Sequence, residues 1–472
     1  MYDRIQELSQ DDLTQLHQAS MALLSDPGIA FNDDRVLEIF ASRGFRVEGR
    51  KVFLTESQVS AALKTCPRRF TVQARDPEKS VAIGGDDFVL VPGYGAPFVS
   101  GPDGLQRQAT LDDYQTFCRL VQTSPVLDMN GFMMVEPHDI PARTAHLEML
   151  LSSILLSDKP FMGSPVSRQG ARDCLEMLKL IWGWEEGAEE TCTVSLVNSL
   201  SPFQFSEEMA GSLITLAGAN QAVVIAALIM AGSSGPVTLP GVLAMQNAEI
   251  LAGLTLAQLV RPGCPVIYGS TSSAMDMRTG ALTIGAPELS AMISATAQMA
   301  RFYGLPSRAG GGLTDALLPD AQAGAESALA LSTAIRGGIN FLLHSAGILG
   351  SFISMSFEKF ILDEELAGMV KKIIKPMEIN PETIDLEMMR EVGIGGQYLT
   401  QPKTFRLCRT EFYLPGLMSR AGYDAWSAAG KKRIEEEARL KLEQRMAAYQ
   451  RPLIDPELEK ALKEYVEDRK RS

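Results

Sequence analysis

Hydrophobic positions change rhythm twice along this chain, and the changes divide it into three parts. Over the first eighty residues they recur at helical spacing: Leu13, Leu16, Leu23 and Leu24 follow Ser9 and Asp12, a pair that reads as a capping box. Asp26-Pro27-Gly28 stops this helix. A second is predicted from Asp33 to Gly44, and a third starts at Thr55 and Gln58 and ends near Pro67. Residues 1–80 therefore read as a helical extension.

The middle of the chain carries short, partly β-branched apolar runs at Phe88–Val91, Gly131–Val135, Pro160–Gly163, Thr193–Val197, Val223–Ile229, Pro265–Gly269, Pro306–Ala309 and Asn340–His344. Helical stretches such as Glu148–Leu156, Ala171–Trp182, Ala248–Val260 and Glu288–Tyr303 separate them. The runs lack strict alternation, which predicts a parallel sheet covered on both faces. Eight such βα units predict an α/β fold, a (β/α)8 TIM-type barrel over residues 81–400. An open doubly wound sheet is the alternative, although no G-x-G-x-x-G follows a candidate strand. Residues 401–472 return to helical spacing, with Ile434, Ala438, Leu442 and Met446 along one stripe and Asp455-Pro456 opening a last helix. This tail is expected to pack on the barrel or on a second subunit, so a homo-oligomer is possible.

Composition narrows the function classes. Six cysteines lie far apart without C-x-x-C spacing, which disfavours a disulfide framework or a zinc site and suits a reducing compartment. The first residues show no apolar signal core, and the clean apolar run from Ala222 to Gly232 is too short for a bilayer. A soluble, cytoplasmic chain without a membrane span is expected. The formal charge of −13 argues against nucleic-acid partners.

In a barrel of this type, reacting groups project from the C-terminal ends of strands. That rule nominates Tyr94, Glu136, His138, Ser164, Asn198, Ser270 to Ser273, the Gly310–Asp315 loop and His344. Simpler roles compete with each. Gly310 to Gly312 suit a tight turn, Asp315 or Asp320 a helix cap, His344 a buried core position, and Glu249 a surface helix. His17 and His146 fall in helical patterns and read as structural. No nucleophile elbow, H-E-x-x-H or Walker loop is present.

The stretches NAEILAGLTLAQLVRPG, VIYGST, GAPELSAM, FYGLPSRAGGGLTDALLPDAQAG and SMSFEKFILDEEL carry more information. Together they resemble the trimethylamine methyltransferase superfamily over nearly the whole chain. Founding members of that family carry pyrrolysine in the loop after the sixth strand. Here that position falls at Gly312 or Leu313, neither of which can do its chemistry. The resemblance is therefore to the non-pyrrolysine branch, which demethylates quaternary amines such as glycine betaine, proline betaine and carnitine; glycine betaine is the favoured substrate here, with proline betaine, carnitine and γ-butyrobetaine as alternatives.

That branch implies methyl transfer to the Co(I) of a separate corrinoid protein. No D-x-H-x-x-G corrinoid motif occurs here, so no tightly held cofactor or metal is expected in this chain. A quaternary ammonium leaves as a neutral tertiary amine and needs no acid, base or covalent adduct. Aromatic faces suit such a cation. Tyr94, Phe98, Tyr268 and Phe352 are the expected cage, with Arg308 or His344 for a carboxylate and Glu249 as a further substrate contact. Gly312, Leu313 and His344 are the expected catalytic positions, and a bulky Gly312→Trp side chain should block the site without unfolding the protein. Two other readings stay open: a phosphate-binding lyase or isomerase using the triple glycine, and a non-catalytic quaternary-amine-binding protein.

Overall fold

Seven of the eight apolar runs become strands of one parallel sheet in a computed structural model, which describes residues 4–184 and 190–471. They are β1 (Val89–Leu90), β2 (Phe161–Met162), β3 (Thr193–Asn198), β4 (Ala222–Ala227), β5 (Val266–Ser270), β6 (Ser307–Gly310) and β7 (Phe341–Leu343). Their order across the sheet is β1-β7-β6-β5-β4-β3-β2, so chain neighbours lie side by side except where β1 meets β7. A helix follows each strand from β2 to β7 and returns the chain for the next strand or, after β7, to the tail. That connectivity gives a curled, barrel-like sheet with every C-terminal strand end on one side.

The expected eighth strand does not form. Residues 128–135 lie between β1 and β2 and make only isolated parallel bridges, Asn130 with Phe161 and Ala96 with Val135. The closed eight-stranded ring predicted from the sequence is thus a curled seven-stranded sheet. The segment also has no room for a side chain at its start, since a Cβ at Gly131 would stand 2.7 Å from Met134 Cγ and 3.2 Å from Pro92 Cγ, and its backbone is engaged outside the sheet. The Met133 carbonyl accepts instead from the Gly95 N–H of a neighbouring loop.

The N-terminal segment is less helical than its pattern suggested. Its three predicted helices are present as Gln10–Ser25, Asp34–Ser42 and Glu56–Leu63, capped by Ser9, Asp33 and Thr55. Between them run the short strands Ile29–Phe31, Arg46–Glu48 and Lys51–Phe53, and the first pairs with Gln204–Phe205. Phe31 stacks on Phe205 with ring centroids 5.0 Å apart, which ties this segment to the main body.

Helix Leu239–Val260 is long and apolar enough to cross a membrane, but 94% of its apolar window is buried within the protein. It packs against the N-terminal helices on one side and the sheet on the other. This is a central core helix.

The two C-terminal helices, Ile434–Ala448 and Pro456–Arg471, dock on the outer helical layer. Asp173, almost fully buried, receives hydrogen bonds from Arg469, Tyr465 and Gln169 and pairs with His146 at 2.9 Å. Burial alone would raise its pKa, yet these partners hold it below the usual carboxylate range. Its contribution to stability is present above the unfolded Asp value and is lost as pH falls through the depressed one. Asp173→Ala is expected to cost about 3 kcal/mol by leaving Arg469 and Tyr465 without their acceptor. Urea unfolding at neutral pH checks this; an unchanged midpoint would show that the terminal helix is held by packing alone.

Candidate active site

Four adjacent strands deliver one cluster of side chains. Tyr94 follows β1, His344 follows β7 directly, Arg308 sits within β6, and Thr271 follows β5 directly. Because β1, β7, β6 and β5 are neighbours in that order, residues far apart in sequence meet at their ends.

Arg308 is the unusual member. It is 1% exposed, and its Nη1 donates to Thr271 Oγ1 at 3.3 Å while its Nε has no partner. Among the described residues no carboxylate pairs with it. Burial pushes the guanidinium down to about 9, so it remains a cation at neutral pH.

The rings gather beside it. His344 and Phe352 have centroids 4.7 Å apart, and Tyr94 meets His344 edge-on at 6.4 Å. The Tyr94 backbone N–H donates to His344 Nδ1 at 3.2 Å. An accepting Nδ1 places the imidazole proton on Nε2. Burial, and then the neighbouring Arg308 charge, hold His344 well below the ordinary histidine range, so the ring is neutral. Burial likewise pushes the Tyr94 phenol up, against the pull of Arg308.

Backbone strain concentrates at this point. His344, Ser351 and Phe352 have φ of 61°, 54° and 75°, each in a region that side chains other than glycine rarely adopt. Such positions cost on the order of 1–3 kcal/mol each and persist only where surrounding contacts hold them. Asp315 supplies part of that hold. Its carboxylate accepts from Ser351 Oγ at 2.6 Å, Ile284 N at 2.7 Å and Gly285 N at 3.0 Å, joining the loops that follow β5, β6 and β7. Asp315 is therefore not a helix cap; Asp320 is, accepting from Gln322 and Ala323.

The other expected site residues lie elsewhere. Tyr268 is fully buried toward the helical layer, with its hydroxyl donating to Asn247 Oδ1 at 3.0 Å, so it is no part of the ring cluster. Glu249 is buried, not surface-exposed, and both its oxygens are taken by Ser199, Ser201 and the Phe203 N–H. It fixes the loop after β3 and presents nothing free to a substrate. Phe98 is partly buried in a side strand, Phe98–Ser100, opposite Ser354 and Gln108. Glu136 and His138 are exposed, and Ser164 is fully buried.

The glycine loop also differs from expectation. Leu313 is buried and curls back over Gly310, where an added Cβ would meet its Cδ1 at 2.1 Å. Gly312 faces away from the rings: a Cβ there would stand 2.9 Å from the Ser345 carbonyl oxygen and 3.0 Å from Asp363 Cγ. Beneath it lies a fully buried pair, Lys359 and Asp363, whose lysine also donates to the Gly312 carbonyl and Ser327. The sequence reading missed this pair, although Lys359 and Asp363 stand four apart in SFEKFILDEEL, on one helix face. Nor does the triple glycine form an open anion nest, since the Gly311 and Leu313 N–H groups donate to Leu343 and Gly311 carbonyls.

A curled parallel sheet with buried polar and aromatic groups gathered at its C-terminal strand ends defines an α/β-barrel-type enzyme. The trimethylamine methyltransferase (MTTB) family matches residues 1–472, and the chain belongs to it. It is 46% identical over 463 residues to a glycine betaine methyltransferase of Desulfitobacterium hafniense, spanning 98% of this chain and 96% of that protein. It is 32% identical to a proline betaine:corrinoid methyltransferase of Eubacterium limosum, spanning 99% and 98%. The crystal structure of the Methanosarcina barkeri monomethylamine methyltransferase shares the fold, with a TM-score of 0.51 at 12% identity over 94% of this chain and 89% of that one.

Because Gly312 abuts the Lys359–Asp363 pair, Gly312→Trp is expected to unfold the loop and not merely to plug the site, at a cost of about 3 kcal/mol or more. Thermal unfolding checks it. A variant with an unchanged melting temperature and a blocked site would restore the original expectation for this position.

Proposed function

We propose that this protein moves a methyl group from a quaternary amine, with glycine betaine the favoured donor, to the Co(I) of a separate corrinoid protein. The observation that carries the reading is the cluster of Tyr94, His344 and Phe352 rings beside a buried, unpaired cation at the strand ends. The 46% identity to a glycine betaine methyltransferase supports the choice of donor.

The chemistry asks little of titratable groups. The cobalt lone pair forms the new bond to the methyl carbon, and the C–N bonding pair stays with nitrogen, which leaves as a neutral tertiary amine. No proton moves. The protein's work is then to desolvate the onium group and hold one N-methyl in line. Aromatic faces contribute ~0.5–2 kcal/mol each to such a cation. A neutral His344 can join them without repelling it.

The surface supports the same choice of partner and setting. Leu105, Val237, Met277 and Leu317 lie in loops beyond the C-terminal strand ends and are between 64% and 73% exposed. A rim of separate apolar side chains around the mouth suits a protein that docks there and leaves again. The corrinoid belongs to that protein. All six cysteines are free thiols, which suits the cytoplasm.

Mixing the protein with glycine betaine and a Co(I) corrinoid protein should convert the cobalt to its methylated Co(III) spectrum, whereas trimethylamine should give none. Robust turnover of trimethylamine would contradict the leaving-group argument. Stabilisation by betaine without any transfer would instead assign a binding protein.

A further inference from the structure

We infer that the buried Lys359–Asp363 pair is a positioning element of the reaction: it locks the loops after β6 and β7 to each other and thereby holds His344 in register with the neighbouring rings. The inference rests on the methyl-transfer reading and goes beyond it, because both side chains stand outside the ring cluster. They come from helix Phe357–Ile374, one turn apart, and are 1% and 0% exposed.

The bonds of this pair reach two different loops. The Lys359 ammonium has three N–H groups and meets three acceptors: Asp363 Oδ1, Ser327 Oγ at 2.9 Å and the Gly312 carbonyl at 3.4 Å. Ser327 in turn donates to the Leu313 carbonyl at 3.4 Å. Asp363 Oδ2 accepts from the Gly347 N–H at 2.8 Å. The loop after β6 is thus gripped at two carbonyls and the loop after β7 at one N–H. Stability alone does not call for such a pair, since apolar residues of similar volume hold a core equally well or better. What a charged pair adds is direction.

The two loops have no play between them. The Gly311 N–H donates to the Leu343 carbonyl at 3.0 Å, and a Cβ at Gly311 would stand 2.6 Å from Ser345 Oγ. His344 lies between these two contacts. On its other side, the His344 N–H donates to the Pro92 carbonyl at 3.1 Å and the Ser345 N–H to that of Val91 at 2.8 Å, in the segment that leads to Tyr94. Movement of the glycine loop therefore passes to the rings through backbone contacts. In-line displacement is sensitive to such movement, and a misplacement of about 1 Å costs about 100-fold in rate. Attraction between an onium group and a ring acts out to about 6 Å, so binding tolerates a shift that alignment does not. Loss of the pair should lower the rate of transfer and spare affinity.

The test compares two double variants in the full-length protein. Lys359→Met with Asp363→Leu removes both charges and keeps the volume. It should melt at or above the wild-type temperature and bind glycine betaine within about 3-fold of wild type by calorimetry. With a Co(I) corrinoid protein at saturating betaine, its single-turnover rate should fall about 100-fold. Lys359→Gln with Asp363→Asn keeps a donor toward Gly312 and an acceptor toward Gly347, and should return to within about 10-fold of wild type. Hydrogen exchange in residues 310–315 and 343–349 should speed up in the apolar variant alone. Lys359→Gln with Asp363→Leu, which drops only the hold on Gly347, replaces the apolar variant should that one fail to fold; it too should lose rate and keep affinity. Wild-type rates in the apolar variant, parallel loss of rate and affinity, unchanged exchange in both loops, or a polar variant as slow as the apolar one would each overturn the proposal. Absence of transfer by wild type would instead sink the methyl-transfer reading, and the exchange rates would still decide whether the pair ties the loops.

Discussion

A guanidinium held out of water with no anion beside it is the constraint around which this site is organised. Burying such a charge costs several kcal/mol, and among the described residues Arg308 meets the neutral Thr271 hydroxyl and no carboxylate. The surroundings are correspondingly fixed. His344, Ser351 and Phe352 adopt left-handed backbone conformations, and Asp315 ties three loops together across them. Lys359 and Asp363 form a second buried pair that holds the glycine loop from beneath. Strain and unpaired charge at one place, with reinforcement all around it, mark a site preorganised for a ligand.

The sheet makes this possible. Parallel strands in near-sequential order put Tyr94, Thr271, Arg308 and His344 at neighbouring strand ends, whatever their separation in the chain. Helix Leu239–Val260 backs the sheet and spends its one carboxylate, Glu249, on fixing the loop after β3. Acidic groups are thereby used as struts. The ring cluster keeps a single formal charge, on Arg308.

Much of this was legible in the sequence. Apolar runs without alternation located seven strands, because buried parallel strands need apolar residues on both faces. The eighth run differs in a way no pattern carries: the Met133 carbonyl accepts from the Gly95 N–H of a neighbouring loop. Tyr94, Arg308, His344 and Phe352 were nominated from strand ends and a family resemblance, and the fold brings them together. Tyr268 was misplaced because strand periodicity does not say which face looks inward. Gly312 was misread because a glycine's missing side chain has no direction until the backbone is known. The strands at Ile29–Phe31, Arg46–Glu48 and Lys51–Phe53 were too short to register beside strong helical signals.

The pH dependence of single-turnover methyl transfer tests most directly whether the donor arrives already charged. With His344 neutral and Arg308 protonated throughout, the rate should be level from about pH 6 to about pH 8. A bell-shaped profile with a limb near neutrality would show that a side chain must give or take a proton, and an electrophile that needs only to be aimed would then be the wrong description.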